Sequence, residues 1–142
     1  MAYDVVKKFA AGWSSHDPDQ LAAIFTEDCV YEDVTLGVDA HGPEEVKQFL
    51  RDWLVSSSDL NMRLVKQFGE GDSAGAEWVF TGTHDGDLSG LGPTGKRFEF
   101  RGATLFEFDD GKVKACVDIW DMATLRSIVE DLPPARLKRA VQ

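Results

Sequence analysis

The chain has 142 residues, 43% of them hydrophobic, with 9 Phe, 4 Trp and a formal net charge of -10. That length suits one domain able to bury roughly two-thirds of its unfolded surface without metals or disulfides. The charge argues against nucleic acid as a partner, because phosphate binding needs a basic patch and the 15 Lys and Arg are dispersed among 25 acids. No apolar run approaches the ~18 residues of a membrane span, and the N-terminal segment lacks the apolar core of a signal peptide, so no membrane partner is expected and a cytoplasmic location is the default. Cys29 and Cys116 form no CxxC pair and read as buried free thiols, with a disulfide as the alternative.

Val5, Val6, Phe9, Ala10 and Trp13 recur at helical spacing and predict a helix from Ala2 to Ser15. Asp17-Pro18 supplies an N-cap and a first-turn proline for a short second helix through Phe25. Cys29 to Asp33 reads as a strand and Gly37 to Gly42 as a turn. Pro43 then opens a third helix, Glu44 to about Ser56, with an apolar stripe of Val46, Phe49, Leu50, Trp53 and Leu54.

Beyond Leu60 the pattern is strand-like. Leu60 to Phe68 and Ala76 to His84 are joined by a turn at Glu70 to Ser73, and Phe98 to Phe108 turns at Asp110-Gly111 into Lys112 to Trp120. Ala76, Trp78, Phe80 and His84 share one face, as do Phe98, Phe100, Thr104, Phe106 and Phe108. The same parity places Cys116, Asp118 and Trp120 on that aromatic side. Asp121 caps a last helix containing Leu125, Ile128 and Val129, ended by Pro133-Pro134. Helices followed by long strands describe an α+β domain, residues 1–132, whose curved antiparallel sheet wraps against three N-terminal helices, with a closing C-terminal helix and a tail at 133–142. The aromatic concave face predicts an apolar pocket.

Asp118 is the first candidate for chemistry, since burial raises a carboxyl pKa toward the range useful for proton transfer at neutral pH. Its bland alternative is a carboxylate bonded to backbone or paired with Arg97 or Arg101. Tyr31 and Asp33, if they point inward, bring a phenol and a second carboxylate to the same cavity; otherwise Asp33 is a strand end in solvent. His84 stands either at the pocket mouth, able to bind a carbonyl or shuttle a proton, or as a strand-terminal residue before a turn. The glycine-rich segment Asp85 to Lys96 lacks the spacing of a phosphate-binding loop and reads as a rim or lid. His16, His41 and His84 are scattered, with no metal-binding spacing. No GxSxG motif suggests a covalent nucleophile.

Gly82-Thr-His84-Asp-Gly86, Gly90, Pro93-Thr-Gly-Lys-Arg97-Phe98, Asp110-Gly-Lys-Val and Asp118-Ile-Trp-Asp121 together resemble the SnoaL-like polyketide cyclases. That family lies in the superfamily of cone-shaped α+β barrels that also holds ketosteroid isomerases, nuclear transport factor two and limonene epoxide hydrolase. The resemblance covers nearly the whole chain and maps the family's acid/base aspartate onto Asp118. It implies cofactor-free intramolecular aldol ring closure of a small apolar carbonyl compound, and a homodimer. Cys116 departs from a histidine often found before that aspartate, and Thr104 from a polar partner such as histidine on the neighbouring strand. The two oxyanion donors of the isomerases correspond to Phe9 and Thr104, which disfavours steroid isomerisation. An epoxide-hydrolase arrangement would need Asp33, Asp118 and Arg101 together, and Arg101 has the opposite parity. The residues expected to catalyse are Asp118, Asp33 and His84. Those expected to shape the cavity are Trp13, Tyr31, Trp78, Phe80, Thr104, Phe106, Cys116 and Trp120.

Overall fold

A computed structural model describes residues 2–133. The chain runs α1 (Ala2–Ser15), α2 (Pro18–Ala22), β1 (Phe25–Asp33), β2 (Val38–His41), α3 (Gly42–Ser56), β3 (Asn61–Glu70), β4 (Ser73–Thr83), β5 (Arg97–Asp109), β6 (Lys112–Trp120) and α4 (Met122–Val129). From residue 134 onward, the tail expected at 133–142 lies outside the described residues.

The predicted apolar stripe of α1 is buried along its length, Val5 to Trp13, and that of α3 likewise at Val46, Phe49, Leu50 and Trp53. Asp17 caps α2 by accepting a 3.0 Å bond from the Asp19 amide, with Pro18 in the first turn. α2 ends at Ala22 and Phe25 opens β1, because the Ile24 carbonyl accepts from the Val113 amide and draws this segment into the sheet. Val38 to His41, expected as part of a turn, form the edge strand β2 against β1. Four residues of pairing are a weak sequence signal, overridden here by tertiary contact.

The six strands form one open curved sheet in the order β2-β1-β6-β5-β4-β3. Pairing is antiparallel everywhere but between β1 and β6, which run parallel, with Tyr31 opposite Cys116 and Asp33 opposite Asp118. Parallel neighbours need a long crossover, and here the chain from β2 through β5, with α3, supplies it. On the other side of β6, Thr104 of β5 lies opposite Asp118. The β5–β6 turn has Asp110 at φ 49° and Gly111 at φ 78°, the paired positive values that tight hairpins require.

Even-numbered side chains of β5 face inward, as their alternating burial shows. A register shift at Glu107/Phe108 sets Val113 opposite Phe108 on β6, so Val113 is buried although its number is odd. The core between sheet and helices is dense in rings, including Phe9, Trp13, Tyr31, Phe49, Phe80 and Phe106 in edge-on or tilted contacts. Gly102 stands opposite Trp78, and a Cβ there would overlap the indole ring. Its lack of a side chain lets Trp78 lie across β5 toward Thr104.

Candidate active site

Asp118 is 4% exposed and receives two short hydrogen bonds. The Tyr31 hydroxyl donates to Oδ2 at 2.6 Å and the Thr104 hydroxyl to Oδ1 at 2.6 Å. Behind Thr104, the Trp78 indole N–H donates to Oγ1 at 2.9 Å, which directs the threonine proton toward the carboxylate. Strand register makes this arrangement: β5 sets Thr104 opposite Asp118, and β1 brings Tyr31 in from the other flank, two residues before Asp33.

Burial is the largest influence on Asp118 and raises its pKa from 3.8 to about 8, against the opposing effect of the Thr104 and Tyr31 donors; the charge of Asp33 adds to the rise. Tyr31 is pushed well above its ordinary value by burial and then by the neighbouring carboxylate, so the phenol remains a donor. Asp33 is 1% exposed and also raised by burial. Its oxygens accept from the Trp120 indole N–H at 2.9 Å and the Leu36 amide at 2.9 Å, which hold the rise in check. It is a buried carboxylate on the cavity wall rather than a strand end in solvent.

Trp13, Asp33, Trp53, Met62, Trp78, Phe80, Phe100, Asp118 and Trp120 line the inner cavity. Its volume, measured as the space open to the centre of a water molecule, is about 10 Å³, enough for about one water. Trp53 also lines an outer pocket of about 390 Å³ with Leu36, Val38, Phe49, Asp52, Val55, Asp87, Leu88 and Ser89. The segment after His84 thus does form a rim, through Asp87 to Ser89.

Of the residues expected in the site, the structure brings Trp13, Asp33, Trp78, Phe80, Asp118 and Trp120 together around the cavity, with Tyr31 and Thr104 bonded to Asp118. Phe106 and Cys116 are buried outside this lining, Phe106 edge-on against Phe9 at 5.0 Å and Cys116 opposite Tyr31. Burial pushes the Cys116 thiol well up. His84 is fully buried but belongs to the loop: Nε2 faces the Leu91 carbonyl at 3.2 Å and Nδ1 the Thr94 hydroxyl at 3.0 Å. Its carbonyl accepts from the Thr94 and Gly95 amides. Arg101 lies exposed beside Glu77, as its parity requires, and Arg97 beside Asp59.

Sequence pattern missed Trp53, Met62 and Phe100 as lining residues. The α3 stripe and the strand parities marked all three as inward, but parity alone does not separate core from cavity. Thr104, read as the loss of a polar partner, is itself a partner of Asp118. Trp13 differs from Trp78 and Trp120 of that lining: its Nε1 is buried with no hydrogen-bond partner among the described residues.

Solved structures share this fold. AclR from Streptomyces galilaeus, assigned as a hydroxylase, aligns with a TM-score of 0.80 at 22% identity over 94% of this chain and 83% of its own. A protein of Jannaschia sp. CCS1 assigned as a SnoaL-like polyketide cyclase aligns at 0.81, 19% identity, 92% and 92%. TsrD from Streptomyces laurentii aligns at 0.79, 25% identity, 90% and 93%. No curated protein matches the chain in sequence. The family model described as SnoaL-like polyketide cyclase matches residues 3–127, nearly the whole of the domain built above. The chain belongs to the SnoaL-like polyketide cyclase family.

Proposed function

We propose that this protein is an enzyme that moves a proton on an apolar polycyclic or aromatic carbonyl compound, with Asp118 as general acid and base, and that its reaction is an intramolecular aldol ring closure. One observation carries the proposal: a buried carboxyl group on an aromatic cavity, held by two hydroxyl donors, with its pKa at about 8. A group titrating near neutral pH can both take and return a proton.

The step needs only residues of this chain. Ionised Asp118 takes a proton from a carbon flanked by carbonyls, and the C–H electron pair becomes an enolate. The enolate carbon attacks a second carbonyl carbon, forming the ring C–C bond and leaving an alkoxide. Protonated Asp118 returns its proton to the alkoxide, so substrate and product contain the same atoms. Tyr31 and Thr104 hold the carboxylate in place. Asp33 assists by disfavouring a second negative charge nearby, which makes Asp118 a stronger base. His84 assists indirectly, by holding the loop whose Asp87 to Ser89 rim the outer pocket.

The outer pocket has the volume of a usual ligand site, and the inner cavity does not. A ring system therefore reaches Asp118 by displacing Trp53, the residue common to both. Replacing Asp118 by Asn tests the proposal: turnover of carbonyl substrates should fall by about 10²-fold or more while ligand affinity persists, and unchanged turnover would sink it. A second reading, a non-catalytic domain holding an apolar ligand, is favoured by the outer pocket, which is ligand-sized while no buried carboxylate lines it. Tight binding of an aromatic ketone with no turnover in the parent protein would support that reading.

A further inference from the structure

We infer that the Trp13 indole N–H is the hydrogen-bond donor to the substrate's carbonyl oxygen, which makes the ligand that enters the inner cavity on displacement of Trp53 an aromatic ketone whose oxygen faces α1 while its acidic carbon faces Asp118. The inference rests on the proposed function and adds the electrophilic partner that Asp118 lacks. Proton removal beside a carbonyl puts negative charge on the carbonyl oxygen, and a donor already aimed at that oxygen stabilises it.

Four indoles line the inner cavity, Trp13, Trp53, Trp78 and Trp120, and the N–H partners of Trp78 and Trp120 set the comparison for Trp13. The N–H of Trp78 goes to Thr104 and that of Trp120 to Asp33, so both support carboxylate chemistry. Trp13 is 2% exposed and lines the same cavity as Asp118. Its N–H has no acceptor among the described residues. An indole nitrogen only donates, and a buried donor without an acceptor calls for an explanation.

The ring is also held rigidly. Trp13 makes edge-on contacts with Tyr31, Phe49 and Phe80 at centroid distances of 6.4, 5.6 and 5.7 Å. A fixed donor pays little reorganisation when charge develops on its acceptor. Phe9 occupies the position expected of an isomerase-type donor, one helical turn earlier on α1. Trp13 replaces it from the same helix, four residues on and therefore on the same face.

The test compares acetophenone, whose carbonyl oxygen only accepts, with isopropylbenzene, which has the same shape and no acceptor. Affinities are measured by NMR titration of the full chain. The parent should bind acetophenone roughly tenfold more tightly than the hydrocarbon, and Trp13→Phe, which keeps the ring and removes the N–H, should bring the ratio to about one. A purely structural role would move both affinities together. In the parent, acetophenone should also shift the Trp13 indole proton downfield more than those of Trp78 and Trp120, a readout that needs no variant. An unchanged ratio in Trp13→Phe, no ketone preference in the parent, or an unmoved Trp13 indole proton would each overturn the assignment. Asp118→Asn turnover tests the base independently, so the donor and the base can fail separately.

Discussion

Tyr31 and Asp118 lie 87 positions apart in sequence and share a buried hydrogen bond of 2.6 Å, donated by the phenol. The bond exists because β1 and β6, separated by the crossover that includes α3, run side by side in parallel. It favours the ionised carboxylate, whereas burial favours the protonated one, and burial wins.

Tyr31→Phe removes a donor to the charged form, so the Asp118 pKa should rise further. A hydrogen bond to a charged group is worth about 1.5–3 kcal/mol, which corresponds to roughly 1–2 pH units. The acid limb of the pH–rate profile should move up by that amount, leaving about a tenth or less of the activity at pH 7. An unmoved limb would show that Asp118 is not the titrating base.

Thr104→Val should lose stability by about 1–3 kcal/mol, because the buried Trp78 N–H loses its acceptor and Asp118 loses a donor together. Thr104→Ser keeps the hydroxyl and should restore most of the loss. Urea unfolding of the two variants checks the pair.

Asp118 also makes stability depend on pH. Its folded pKa is raised from 3.8 to about 8, so the native state holds a proton that the unfolded chain releases. Its contribution is full below about pH 4 and is lost as pH rises through about 8, at up to about 1.4 kcal/mol per pH unit. Asp33, also raised, acts in the same direction. Unfolding midpoints of the parent should therefore fall between pH 5 and 8, and Asp118→Asn should flatten that fall.

His84→Ala should speed amide hydrogen exchange in residues 85–96, since both ring nitrogens hold that loop. The shape of the pH–rate profile should stay as in the parent. A lost limb would instead assign His84 to proton transfer.

A second copy of the chain is proposed to cover the outer face of the sheet. Leu105 and Ile119 are about half exposed there on neighbouring strands, at 49% and 47%. Sedimentation should give a dimer for the parent and a monomer for the double variant Leu105→Lys, Ile119→Lys, with a monomeric parent ruling the pairing out.

Much of the site could be read from pattern, because a strand side chain alternates with a period of two and a one-residue slip would invert it. On β5 and β6 that parity places Thr104, Asp118 and Trp120 on the aromatic side, although it is the register shift at Glu107/Phe108, beyond the Asp110-Gly111 turn, that brings Thr104 opposite Asp118. His84 also followed the parity inward, yet the loop closes over it and engages both nitrogens. The inward turn of Tyr31 and Asp33 remained conditional in the sequence, since a short strand end can as well face solvent.

By itself the sequence determined the element order apart from β2, the helical stripes of α1 and α3, the inward carboxylate at 118 and the family to which these belong. Those are local properties, set by spacing along a few residues. Only the tertiary structure decided that β1 lies parallel to β6, that Thr104 is a donor to Asp118, that Trp53 lines both an inner cavity and an outer pocket, and that the buried Trp13 N–H has no acceptor among the described residues. Each depends on which distant segments become neighbours, and hydrogen-bond partners across 14, 26 and 87 residues have no period that a chain reading can detect.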